Sequence, residues 1–292
     1  YGCNNFCTYC VVPYTRGIET SRPVEEVLHE ARRLVETGSV ELNLLGQNVN
    51  SYHGADGSGK ERSLAYLLHK LAEIDGLKRI RYTTSYPADM TDELINCHRD
   101  IPQLMPYLHL PVQSGSDKIL KAMNRRHNRA QYLDIIEKLY AANPALRMSS
   151  DFIVGFPGES DEDFEQTLDI VRRVGYIQAF SFKYSKRPGT PAALMPEQVE
   201  EKIKRQRLDI LQELLSGMQL KFNRECLGKT MPVLFEYKGR RAGQLVGRTP
   251  YMQNIHVEIG KEFLNQIVDI KVTEAAPSSL SGACTTLNNK AS

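Results

Sequence analysis

The chain has 292 residues, 41% hydrophobic and 25% charged, with a formal net charge of +2. That length suits one domain of barrel size plus a small second one, and the composition is ordinary for a globular protein. A near-neutral total excludes a polycation, so nucleic-acid contact must come from local patches; no apolar run approaches the ~20 residues of a membrane span, and no basic-then-apolar signal peptide opens the chain.

The chain starts at Tyr1 and enters a cysteine cluster at once. We expect further chain upstream of it. Arg22-Pro23 predicts a helix running to about Glu36 and closed by Gly38. Residues 40–45, 79–84, 107–112, 148–154 and 179–184 read as strands. Amphipathic helices are predicted between them, at 64–74, 130–142 and 162–174. Strands alternating with helices predict parallel βα units and an α/β barrel. Barrel order places a strand before the first helix, and we expect it upstream of Tyr1.

Pro188 and Pro191 mark a loop, and residues 197–224 read as one long charged helix ending near Gly228. The period then shortens. Residues 231–237, 242–249, 254–259 and 266–272 read as short strands of a second, all-β domain. The predicted organisation is a core at 1–195, a connecting helix at 196–224, a β domain at 225–276 and a disordered tail at 277–292. The tail is rich in Ser, Ala, Thr and Asn, with few apolar residues.

Cysteines stand at 3, 7, 10, 97, 226 and 284. Three crowd into one loop, Cys3-x3-Cys7-x2-Cys10, and the others are scattered. This argues for a reducing compartment, hence a cytoplasmic protein, and for a metal or cluster site. Three thiolates on a short loop can each take one iron of a [4Fe–4S] cubane and leave the fourth open. Zinc usually draws four ligands, and the nearest further Cys or His, His29, lies in the following helix. Cys97, Cys226 and Cys284 read as incidental thiols.

Three more strings end predicted strands. They are Gly46-Gln47-Asn48-Val49-Asn50, His109-Leu110-Pro111-Val112-Gln113-Ser114-Gly115-Ser116 and Asp151-Phe152-Ile153-Val154-Gly155-Phe156-Pro157-Gly158-Glu159. A barrel places such strand ends on its C-terminal face, the usual site of chemistry. Gly46, Gly115, Gly155 and Gly158 permit close backbone approach or positive φ. Gln47, Gln113 and Asp151 are candidates to hydrogen-bond a cofactor; the alternative is tight turns with helix-capping polar residues.

The cysteine loop, with Tyr9 as the aromatic before the last cysteine, resembles the signature of radical-SAM enzymes. With the Gly46–Asn50 string, the chain resembles their methylthiotransferases of the MiaB type, from Tyr1 to about Ala275. The resemblance implies a partial (β/α)6 barrel followed by a small OB-like TRAM barrel. It implies a [4Fe–4S] cluster on Cys3, Cys7 and Cys10, with S-adenosylmethionine chelating the open iron and yielding a 5′-deoxyadenosyl radical. It assigns Tyr9, Gly46, Gln47, Gln113, Asp151, Gly155 and Phe156 to the cofactor pocket. It further implies methylthio insertion at C2 of an isopentenylated adenosine beside the tRNA anticodon, and a second [4Fe–4S] cluster on an N-terminal domain this sequence lacks. Lys238, Arg240, Arg241 and Arg248 are the expected RNA contacts, with Tyr251 and Asn254 beside them. The expected partners are an anticodon stem-loop and a reductant such as flavodoxin or ferredoxin; the expected protein is a monomer without membrane contact. Rival readings are a methylthiotransferase for threonylcarbamoyladenosine or a ribosomal protein, and a non-catalytic RNA-binding module with a structural cluster.

Overall fold

A computed structural model describes residues 1–285. After a short helix α1 (Val12–Arg16), the first full helix is α2 (Val24–Glu36). It buries Val24, Leu28 and Ala31, one helical face. Parallel strands β1 (Glu41–Leu44), β2 (Arg79–Tyr82), β3 (Tyr107–His109), β4 (Arg147–Val154) and β5 (Gln178–Lys183) then alternate with α3 (Leu64–Ala72), α4 (Asp92–Asp100), α5 (Asp117–Ala122), α6 (Arg129–Ala142) and α7 (Asp161–Val174). β1 pairs with β2, and β3, β4 and β5 form a second parallel group. A parallel bridge, Ile80 to Leu104, joins the two groups. This is the expected α/β barrel, open on one side. Among the described residues β1 pairs with β2 alone, so its other edge takes no described strand.

The helix caps follow from sequence. Ser160 and Asp163 form a capping box on α7, which carries acids in its first turn and Arg172 and Arg173 in its last. Gly175 closes that helix at φ +71, a left-handed position glycine favours.

Helix α8 (Glu201–Glu225) links the barrel to the second domain. It starts later than the predicted 197 because Glu197 uses its carbonyl to accept from Gly158 N–H, and Glu200 remains extended as the N-cap. The second domain is a closed five-stranded barrel of β6 (Thr230–Lys238), β7 (Gln244–Arg248), β8 (Asn254–Glu258), β9 (Ile267–Ala275) and β10 (Ser279–Cys284). The predicted disordered tail is thereby corrected: residues 279–284 are its fifth strand, antiparallel to β9 and parallel to β8. Leu280 and Cys284 point into the core. Their small neighbours are a packing requirement, since a Cβ on Gly282 would lie 2.4 Å from Ile270 Cγ2. The rest of the predicted tail, 286–292, lies outside the described residues. The other expected incidental thiols, Cys97 and Cys226, are buried in the two hydrophobic cores.

The small barrel caps the N-terminal ends of the large one. Ile177, just before β5, belongs to the small barrel's core, and Tyr107 at the start of β3 packs on it. Arg79 donates to Pro232 O (2.6 Å) and Arg248 O (3.2 Å). Arg81 donates to Pro250 O (2.9 Å) and Thr249 O (3.2 Å). Glu41 pairs with both arginines.

Candidate active site

The cysteine loop is folded by its own backbone. Cys3 N–H donates to Gly17 O (3.2 Å), Cys7 N–H to Asn5 O (2.9 Å) and Cys10 N–H to Cys7 O (3.0 Å). Gly2 is obligatory at this closure: its φ is +72, and a Cβ there would lie 1.9 Å from Ile18 O. Cys7 is buried, and Cys3 and Cys10 are half-buried. Burial raises both half-buried thiols above their ordinary value, with hydrogen bonds from Asn5 opposing it at Cys3 and one from Val12 at Cys10.

A second segment, just after α5, holds the loop from below. Thr8 N–H donates to Met123 O and Thr8 Oγ1 to Ala122 O. Asn124 Nδ2 donates to Phe6 O (2.8 Å), and Arg126 Nε to Asn5 Oδ1 (3.1 Å). Arg125 Nη1 donates to Cys7 Sγ at 3.7 Å. No spacing rule in the sequence singles out Arg125, because its partner is 118 positions away.

Gly46 and Gln47 follow β1. They line a cavity of about 540 Å³ with Tyr1, Gly2, Glu19 and Asn43. Gln47 Oε1 is buried there with no hydrogen-bond partner. Asn48 and Asn50 serve the fold instead. Asn48 Nδ2 donates to Asp89, and Asn50 exchanges two hydrogen bonds with the Tyr86 backbone. They staple the loop after β1 to the loop after β2.

Gln113 is held at φ +76. Its N–H donates to Asp151 O and its carbonyl accepts from Ile153 N–H, extending β3 alongside β4. Asp151 lies 3.5 Å from His109 Nε2, and His109 Nδ1 contacts Ser149 Oγ at 2.9 Å. His109 stands edge-on to Phe180, which is 48% exposed, and Phe182 is 54% exposed. Ala179 packs on the helix side, so strand alternation turns both phenylalanines to the concave face. Of this wall the sequence marks Asp151 and the strand end at His109, but no motif marks Phe180 and Phe182; the alternation in Ala179-Phe180-Ser181-Phe182 is their signal.

Three of the expected pocket residues also have packing roles. Phe156 is fully buried between Tyr9 and Tyr184 and supports the loop through those ring contacts. Tyr9 packs against the same small core. Gly155 is needed for α8: a Cβ would lie 2.3 Å from Lys204 Cγ.

The basic residues of the small barrel are not one patch. Lys238, Arg240 and Arg241 are exposed at the β6–β7 turn. Arg248 sits at the far end of β7, opposite Leu234, roughly 13 Å away by strand rise. It pairs with Glu236 and donates to Met252 O. Tyr251 packs on Phe222 of α8, and Asn254 begins β8. Neither stands beside the Arg240–Arg241 turn.

The Radical SAM superfamily profile matches residues 1–171. The chain belongs to the radical SAM superfamily. A TRAM domain profile matches residues 224–284, ending with β10. The chain is 57% identical over 282 residues to the tRNA-2-methylthio-N(6)-dimethylallyladenosine synthase of Rickettsia felis and 56% identical to that of Rickettsia canadensis. Both matches cover 96% of this chain, which spans 63% of the relatives' length. Among solved structures it is similar to coproporphyrinogen III oxidase of Escherichia coli (TM-score 0.53, 12% identity, 85% of this chain and 63% of that one). It is also similar to the radical S-adenosylmethionine methyltransferase TsrM of Kitasatospora setae (TM-score 0.52, 12% identity, 84% of this chain and 40% of that one). Both share the fold.

Radical SAM membership implies a [4Fe–4S] cluster and S-adenosylmethionine, and the residues present fit them. Three soft thiol donors lie on one loop, and the Arg125 guanidinium faces them. Among the described residues Arg125 pairs with no carboxylate, whereas Asp89 is 2.7 Å from neighbouring Arg126. Gln47 Oε1 is an unused acceptor in the adjoining cavity.

Proposed function

We propose that this chain is the radical SAM core and RNA-binding part of a tRNA methylthiotransferase, adding a methylthio group to C2 of N6-isopentenyladenosine beside the anticodon. The observation that carries the reading is the loop of Cys3, Cys7 and Cys10, held by Arg125 and Arg126. The names of the relatives support the substrate.

Cys3, Cys7 and Cys10 would hold the cluster through their thiolates, leaving one iron for S-adenosylmethionine. When bound, cluster and cofactor supply a 5′-deoxyadenosyl radical by one-electron reduction. Gln47 accepts a hydrogen bond from the cofactor, and Asp151 fixes His109 on the concave wall. Phe180 and Phe182 offer faces on which a splayed-out base can stack. Lys238, Arg240 and Arg241 contact phosphates without reading sequence, and Arg248 adds a separate contact. A flavodoxin- or ferredoxin-like protein delivers the electron, and sulfur comes from a second [4Fe–4S] cluster on a domain outside this sequence. A further strand pairs with the edge of β1 that takes no partner among the described residues, over the apolar wall of Val27, Ala31, Leu34 and Leu42. The working unit is a cytoplasmic monomer.

The test is anaerobic incubation of the reconstituted chain with S-adenosylmethionine and a strong reductant. We expect 5′-deoxyadenosine from wild type and none from C3A/C7A/C10A. We also expect an anticodon stem-loop carrying N6-isopentenyladenosine to bind, with affinity falling as salt rises. Cleavage with no stem-loop binding would overturn the RNA substrate; a loaded cluster with no cleavage would overturn the enzyme reading.

A further inference from the structure

We propose that Arg125 is the fixed counter-charge of the cluster, raising its reduction potential through the hydrogen bond to Cys7 and through its own positive charge. This rests on the reading of Cys3, Cys7 and Cys10 as cluster ligands.

The guanidinium is immobilised on three sides. Nη2 donates to Pro111 O at 2.7 Å, at the end of β3. Its face lies over the Tyr86 ring, 4.1 Å from the centroid. Nη1 donates to Cys7 Sγ. Its Nε is buried with no partner. A half-buried cation without a carboxylate is costly unless an opposite charge faces it. The adjacent Arg126 has such a carboxylate in Asp89, so the lack at Arg125 is specific to that side chain. The group it faces is the thiol set.

Three thiolates on a [4Fe–4S]2+ core give the oxidised site a net charge of −1. One electron makes it −2. Hydrogen bonds to the ligand sulfurs and nearby charge are established determinants of cluster potential. A fixed cation therefore favours the reduced state more than the oxidised one. Arg125 also spares the site a reorganisation step, because Pro111 and Tyr86 hold it in place before the electron arrives.

The experiment is a redox titration followed by electron paramagnetic resonance on the full chain, reconstituted with iron and sulfide. Wild type, R125K and R125M are compared, and iron content is measured for each. We expect equal iron, a midpoint potential shifted negative in R125M, and a smaller negative shift in R125K, which keeps the charge but not the planar fork. R125M with full iron and the wild-type potential would overturn the proposal. If R125M takes up no cluster, R125K decides: a negative shift supports the proposal, and the wild-type potential or lost iron assigns Arg125 to loop assembly alone. Should wild type itself bind no cluster, the ligand reading fails first and this inference with it.

Discussion

Single residues carry two kinds of work here, and they separate cleanly at Glu159 and Arg207. The Glu159 carboxylate is enclosed between Gly155 N–H (2.7 Å) and Arg207 Nη1 (2.8 Å). Burial raises its pKa from the ordinary 4.5 to about 7, against the opposing pull of Gly155 and Arg207. The folded chain therefore binds this proton more tightly than the unfolded one. The stabilising contribution is complete below the ordinary value and is lost as pH rises through about 7. Between pH 5 and 8 the unfolding free energy should fall by on the order of 2–3 kcal/mol, and E159Q should flatten that slope in urea melts. Equal slopes in both proteins would assign the pH dependence elsewhere. Arg207→Met should cost about 3–5 kcal/mol by stranding the carboxylate, read as a lower urea midpoint. At this scale the sequence told most where chemistry is local. Three ligands within one loop announce themselves by spacing. Arg125, His109 and Phe180 do not, because each acquires its role from a residue on another element. Phe156 is the converse case: it sits in a motif at a strand end, and its ring turns into a core.

Elements were legible in type and less so in extent. All five barrel strands and the long helix stood where periodicity placed them, with ends moved by a few residues. The exception is β10. Its Ser, Gly and Ala content reads as disorder, since few apolar residues remain to offset chain entropy. Barrel closure reverses that logic, because Gly282 is the only residue type that clears Ile270 and the Lys271 carbonyl (2.9 Å). Two apolar side chains, Leu280 and Cys284, then suffice to seal the core. Truncation after Ala275 should leave β8 and β9 with open edges. We expect loss of the small barrel's cooperative transition in circular dichroism melts, together with aggregation. A truncated chain that melts like the parent would reinstate the disordered tail. Gly115→Ala tests another close approach, since its Cβ would lie 2.2 Å from Gln166 O on α7. We expect a loss of roughly 1–3 kcal/mol, measured as a lower thermal midpoint.

Across the whole molecule, the two domains are joined by buried charge. Arg79 and Arg81 alternate along β2, a pattern that by period reads as a solvent face. Both are buried, because the small barrel closes the floor of the large one: Thr249 and Pro250 carbonyls accept hydrogen bonds from Arg81, and Pro232 and Arg248 carbonyls accept them from Arg79. Glu41 completes the group. The seam sets the small barrel in one orientation relative to the cysteine loop, at the opposite ends of the strands. Arg81→Ala should weaken it by about 3–5 kcal/mol and expose the link around Leu227 to limited proteolysis; an unchanged digestion pattern would mean that α8 packing alone fixes the arrangement. Such a seam is invisible to sequence periodicity, which describes one element at a time.

The central claim is that Cys3, Cys7 and Cys10 hold a cubane cluster with one iron left open for S-adenosylmethionine. It is tested most directly by iron and sulfide analysis of the anaerobically reconstituted chain, with electron paramagnetic resonance of the reduced site before and after S-adenosylmethionine is added. The account predicts ~4 irons per chain on this site, a spectrum altered by the cofactor, and loss of both in C3A/C7A/C10A. A single bound zinc in place of iron, or a triple variant that keeps its cluster, would contradict it.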